Sequence, residues 1–352
     1  MQISMWWRWW KRRGGAEPER PAPKPPAPER EQIFLDLEQA ERPVDLGGEL
    51  ETGAQRGPLV EALARQLHAE ADRTRDEATR KLIRTLERTA VKDGIELPPM
   101  PETALRLHRM IDSIDCDLRK LGAEIELDPA LTTKLVGIAN SPFYACMEPV
   151  HGVADALVRV GLRETRNIIL AITMHSRVFR APGFEREIRD LWHHGLAAAM
   201  AGQILAAESG FDPDLGFLAG LTHDVGRAVI LAHAGRVYRV SRAKADLPRA
   251  ALVPVVDAFH APFSGLVAAS WRLVPEVVTA LSFHHQPWDA PEPGRRLAHL
   301  VRAADCMAKV LLAPDDAHSL AEALEQLGVD EAQTDTLLEE ARERYESVAK
   351  LF

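Results

Sequence analysis

The sequence predicts an all-α fold, a two-lobed helical domain behind an unstructured N-terminal tail. Three observations predict it. Apolar residues recur at helical spacing from residue 58 onward. Proline stands at predicted helix starts in Asp128-Pro129, Asp212-Pro213 and Val274-Pro275. No alternating strand pattern flanked by hairpin turns is evident.

The first 15 residues read MQISMWWRWWKRRGG, with Trp6, Trp7, Trp9 and Trp10 set among Arg8, Lys11, Arg12 and Arg13. Tryptophan favours the headgroup layer and basic residues favour anionic lipid, so this tail is a candidate membrane or partner contact. It does not read as a secretory signal, because no apolar stretch follows the basic residues. Residues 16–57 are read as a largely disordered linker. Six prolines among mixed charges between 16 and 31 make its first part a stiff spacer. Residues 58–96 follow as an amphipathic segment of one or two helices, with Leu59, Leu63, Leu67, Leu82, Ile83 and Leu86 on the apolar face. The main domain is assigned to 97–310, divided into lobes 97–183 and 184–310. An Ala/Leu/Glu-rich pattern in 311–352 predicts C-terminal helices.

Composition narrows the class. In 352 residues, 46% are hydrophobic, enough for a sizeable core, and the formal net charge is −9. An acidic total argues against broad capture of nucleic acid, and no specific nucleic-acid partner is expected. Cys116, Cys146 and Cys306 form no CxxC pair and no disulfide framework, which points to the cytoplasm. No apolar run is read as approaching the roughly 20 residues that span a bilayer.

The chemistry sits in the second lobe, where eight of 13 histidines fall between 190 and 305. Asp190 and His194 are four apart and share a helix face. His223-Asp224 lie in GFLAGLTHDVGR, read as part of an apolar helix. His260 is read as beginning the next helix, His284-His285 as ending another, and Asp305 as lying within LVRAADCMAK. Successive helical residues point about 100° apart, so an HD pair can share an ion only at a helix edge facing a cavity. Gly220 and Gly226 on either side would let other helices approach closely. Imidazole with carboxylate suits iron, manganese or zinc. His108, His151, His175, His233 and His299 have no such setting and read as ordinary hydrogen-bonded groups, with His193 as the outward neighbour of His194.

Two stretches carry a family resemblance. The first combines LPPMPETALRLHRMI (97–111), ELDPALTTKLVGIANSPFYA (126–145) and VADALVRVGLRETRNIIL (153–170). The second is the lobe around GLTHDVGR. Together they resemble the HDOD family, a bacterial signalling branch of the HD metal-hydrolase superfamily. The resemblance implies a two-lobed helical fold and a regulatory role without established catalysis, with a signalling protein or a cyclic nucleotide as partner. The related HD-GYP branch hydrolyses cyclic di-GMP at a two- or three-metal centre. Asp190, His194, His223, Asp224, His260, His284, His285 and Asp305 resemble its metal stations in order, Asp190 standing where that branch has glutamate. Two features depart from it. Arg227 replaces the lysine of HDxGK, and HHQPWDAPEPG replaces HHExxDGxGYP. Two readings follow. One is a non-catalytic module binding a protein or nucleotide. The other is a metal-dependent phosphodiesterase with Asp224 bridging two ions and Arg227 on phosphate.

Overall fold

The computed structural model describes residues 58–90, 97–112, 116–144, 148–240, 249–313 and 317–352. The Trp/Arg-rich tail, the proline-rich linker and Cys146 lie outside these residues. The described chain is helical, with no β-sheet.

Two amphipathic helices open it, α1 (Pro58–Arg73) and α2 (Glu77–Arg88). The first lobe follows: α3 (Glu102–Asp112), α4 (Leu118–Glu126), α5 (Pro129–Ala139), α6 (Val153–Val160) and α7 (Leu162–Arg177). The second lobe holds α8 (Glu185–Ser209), α9 (Pro213–Thr222), α10 (Val225–Val240), α11 (Arg249–Ser270), α12 (Pro275–Phe283) and α13 (Arg295–Leu312). Helices α14 (Ala317–Leu327) and α15 (Glu331–Ala349) close the chain. The proline signals have a local cause. Asp128 and Asp212 accept backbone N–H groups of the first turn, and the proline that follows each occupies a position whose N–H would be unpaired anyway.

One apolar core runs from Leu63 in α1 to Val348 in α15 and crosses the boundary between the lobes. Polar ties reinforce that seam. Buried Asp214 of α9 accepts from Arg163 and Asn167 of α7 and pairs with Arg166. Trp271, just past the end of α11, donates its indole N–H to the Pro98 carbonyl at 2.7 Å.

Helices α8 and α9 cross through small residues. A methyl group on Gly220 would lie 2.9 Å from Ala199 Cα, and one on Gly216 would overlap Gly202 of α8. This close crossing is what brings His194 and His223 together.

One expectation about apolar length is corrected. The stretches 213–236 and 252–270 are long and apolar enough by composition to cross a membrane. They are core helices, 83% and 67% buried inside the fold. Alanine, leucine and valine keep their average hydropathy high although polar residues interrupt each run.

Candidate metal centre

Each histidine of the centre is placed by a backbone event. His223 and Asp224 do not lie within a helix, as expected from the sequence. They occupy the break between α9, which ends at Thr222, and α10, which starts at Val225. At this break both side chains face the same point. His284 likewise caps α12. Helix ends leave carbonyls without partners, and both histidines use them. His223 Nδ1 donates to the Gly220 carbonyl, and His284 Nδ1 to that of Leu281, each at 2.8 Å. His260 does not begin a helix; it lies in the middle of α11, where its Nδ1 donates to the Val256 carbonyl at 2.9 Å. With Nδ1 protonated in all three rings, each Nε2 is a lone pair directed inward, the orientation that metal-binding histidines need.

The lone pairs converge on Asp224. Its Oδ1 lies 3.1 Å from His260 Nε2 and 3.7 Å from His284 Nε2. Its Oδ2 lies 3.6 Å from His223 Nε2 and 4.0 Å from His194 Nε2, and accepts from Arg227 Nε at 2.8 Å. His285 Nε2 approaches His260 Nε2 to 2.8 Å, and His194 Nε2 approaches His223 Nε2 to 3.2 Å. Asp305, on α13, presents Oδ1 to His194 Nε2 at 3.0 Å and Oδ2 to Lys309 Nζ at 2.7 Å. The ligand atoms thus form two halves sharing Asp224. One is His260, His284 and His285; the other is His194 and His223, with Asp305 alongside.

Asp190 is not brought in. It is exposed on α8, 3.9 Å from Arg186, one turn beyond His194 on the same face. The shared helix face carries Asp190 to the exposed rim of the cavity that His194 and Asp224 line, not into the cluster of ligand atoms. Of the histidines read as ordinary, His193 contacts the Tyr345 hydroxyl, and His175 packs against Trp192 and Phe352.

The electrostatics are those of a buried anionic pair. Burial works to raise the Asp224 carboxyl, but His223, His260 and His284 outweigh it and hold it well below the usual carboxylate range. Burial likewise opposes ionisation of Asp305, and His194 and His223 reverse the effect. His285 is pushed down to about 3 by burial and by repulsion from His284 and His260, so its ring is neutral. Two ionised carboxylates buried among imidazole nitrogens need positive charge close by.

One contact decides what supplies it. Asp224 Oδ1 and His284 Nε2 are buried, face each other at 3.7 Å, and have no hydrogen-bond partner. Both are acceptors, since His284 Nδ1 holds the ring proton. A cation satisfies both atoms at once and supplies the missing positive charge. The donor set fits a divalent transition ion: three imidazoles and a carboxylate within 4.8 Å of one another.

A cavity of about 420 Å³ opens beside the centre. His194, Asp224, Arg227 and Lys309 line it on the side of the centre, and Phe184, Leu231 and Val256 form an apolar wall. Arg227 also donates to Asp257 at 2.7 Å. Sequence reasoning missed Lys309 and Asp257. Lys309 had a signal, its i,i+4 spacing from Asp305; Asp257 had none, because its partner is 30 residues away.

Residues 97–287 match the HDOD domain family. The chain belongs to the HDOD family. The HDOD match begins at the same Leu97 as the sequence resemblance and stops before Asp305. A Treponema pallidum (strain Nichols) protein, described only as uncharacterized, is 28% identical over 236 residues. That alignment covers 63% of this chain, and the chain spans 44% of the relative's length. An HDOD domain protein of unknown function from Geobacter sulfurreducens is 25% identical, with a TM-score of 0.55, over 76% of this chain and 97% of its own. A Shewanella amazonensis SB2B protein, provisionally a metal-dependent phosphohydrolase, shares the fold with a TM-score of 0.62 at 21% identity, over 78% and 99%.

Proposed function

We propose that this HDOD chain is a metal-binding signalling module that acts by binding rather than turnover. A divalent ion, iron, manganese or zinc, would be held by Asp224, His260, His284 and His285. The observation that carries this reading is the facing pair of buried acceptors, Asp224 Oδ1 and His284 Nε2. The cavity beside it is within the size range of small-molecule sites, and a cyclic nucleotide is the first ligand to try; a signalling protein is the other partner. Absence of turnover is supported by the two nearby cations. Arg227 is held by Asp224 and Asp257, and Lys309 by Asp305, so neither is free to grip a phosphate. The reading places the protein in the cytoplasm, with the tail from Trp6 to Arg13 touching anionic membrane.

A second reading, metal-dependent phosphodiester hydrolysis, is favoured by the cavity, which reaches His194 and Asp224 directly. A bound divalent ion supplies Lewis acidity to a phosphoryl oxygen. In that reading Asp224 would bridge two ions and Arg227 would orient the phosphate.

The test combines elemental analysis of protein purified without added metal with a panel of cyclic dinucleotides incubated with Mn²⁺. Bound metal and intact dinucleotides are expected. Hydrolysis would replace the first reading by the second. A folded protein that neither retains nor takes up metal would remove both.

A further inference from the structure

The two halves of the centre differ in what already balances their charge. Among the described residues, no lysine or arginine lies within salt-bridge distance of a ligand atom in the half formed by His260, His284 and His285, apart from Arg227 on the far oxygen of Asp224. Two of its acceptors, Asp224 Oδ1 and His284 Nε2, have no hydrogen-bond partner. In the other half, Lys309 sits one helical turn beyond Asp305 on α13, with Nζ 2.7 Å from Oδ2. Lys309 also lines the cavity together with His194 and Asp224.

Charge counting points the same way. The centre contains two buried carboxylates, Asp224 and Asp305, and each already has a fixed cation, Arg227 and Lys309. Asp190, which could have added a third negative charge beside His194, is exposed and lies near Arg186. Arg227 is shared with Asp257, so three carboxylates stand against two fixed cations; one dication already turns the centre net positive, and a second would enter against that charge. It would also have to approach Asp305 beside an ammonium group.

From this asymmetry we infer that Lys309 is the resident cation of the His194/His223/Asp305 half, so that the chain binds one divalent ion tightly in the other half. This rests on the metal-binding reading above. Lys309 is part-buried and held on Asp305 Oδ2, so a second ion must displace its ammonium group. A second ion then binds weakly, in competition with the ammonium group.

Metal stoichiometry tests this without any activity measurement. The full-length chain, stripped with chelator, is titrated with Zn²⁺ and separately with Mn²⁺ against a competing chelating indicator. Wild type is expected to take one tight ion and a second much weaker one. Lys309→Met removes a charge-assisted hydrogen bond, and should tighten the second ion roughly ten- to hundredfold while leaving the first unchanged. Lys309→Arg keeps the cation and should keep the stoichiometry of wild type. His284→Ala should remove the tight ion. Two ions of equal affinity in wild type would overturn the inference while leaving the metal-binding reading intact, and this result needs no variant to fold. Unchanged second-ion affinity in a folded Lys309→Met protein would also overturn it. Failure of wild type to bind either ion would overturn both.

Discussion

Gly226 tests whether the centre depends on the contact between α10 and α11. It is the second residue of α10, and its backbone N–H donates to Ser264 Oγ at 2.9 Å. A methyl group there would lie 2.7 Å from Ser264 N and 2.9 Å from Phe263 Cβ, and would overlap the His260 carbonyl oxygen. Cβ contacts shorter than about 3 Å do not persist and carbon atoms pack best at about 3.5–4.0 Å, so the overlap with the His260 carbonyl oxygen forces α11 to retreat by about 1 Å or more in Gly226→Ala. Backbone atoms cannot step aside as a flexible side chain would. Overpacking costs about 1–3 kcal/mol or more, and the helix propensity of alanine returns about 1 kcal/mol. The net expectation is a loss of about 2 kcal/mol. The same retreat carries His260 Nε2 from 3.1 Å to about 4 Å from Asp224 Oδ1. Metal sites tolerate displacements of only about 0.2 Å, so metal affinity should fall about 10- to 100-fold, as when a supporting contact is removed. The assays are urea denaturation of the metal-free protein and competitive Zn²⁺ titration. Gly122→Ala in α4 is the control, since its methyl would meet nothing closer than 3.8 Å. The reasoning is refuted if Gly226→Ala matches that control within about 0.5 kcal/mol and binds Zn²⁺ as wild type does.

Asp224→Ala should abolish bound metal and destabilise the metal-free protein by roughly 1–3 kcal/mol, because Arg227 and the buried imidazoles lose their shared anion; unchanged metal content in the variant would put the site elsewhere. His175 supplies a pH signature away from the metal ligands. Burial, followed by Lys134, His193 and Arg180, lowers it to about 4 from an ordinary value of 6.5. The unfolded chain then binds a proton between those values that the folded protein refuses, so stability falls as pH drops from 6.5 to about 4 and levels off below. For a half-buried group the loss, after solvent screening, is about 1–2 kcal/mol. His175→Gln should flatten stability across that window, and an unchanged slope would assign it to other groups. Deleting residues 1–31 should leave the melting temperature unchanged but reduce sedimentation with anionic vesicles at low salt. A full-length protein that ignores such vesicles would rule out the membrane contact.

The sequence by itself determined the helical class, the starts of α5, α9 and α12, and eight candidate stations, of which seven meet near Asp224 or Asp305. Helix starts are local events, set by an Asp or Val before a proline, and local chemistry is legible in order. The metal stations were legible because His and Asp are few in apolar helices, so their appearance there stands out. Tertiary structure alone decided three things. It placed His223 and Asp224 in a helix break rather than on a helix edge, since a two-residue interruption leaves no mark in an apolar run. It turned Asp190 to solvent, because spacing along one helix defines a face but not where the neighbouring helices end. It set Lys309 on Asp305 and Arg227 between Asp224 and Asp257, assigning each half of the centre its own charge. Those pairings depend on how α10, α11 and α13 cross, and crossing is governed by which backbones can touch, at Gly220 and Gly226, not by any periodicity along the chain.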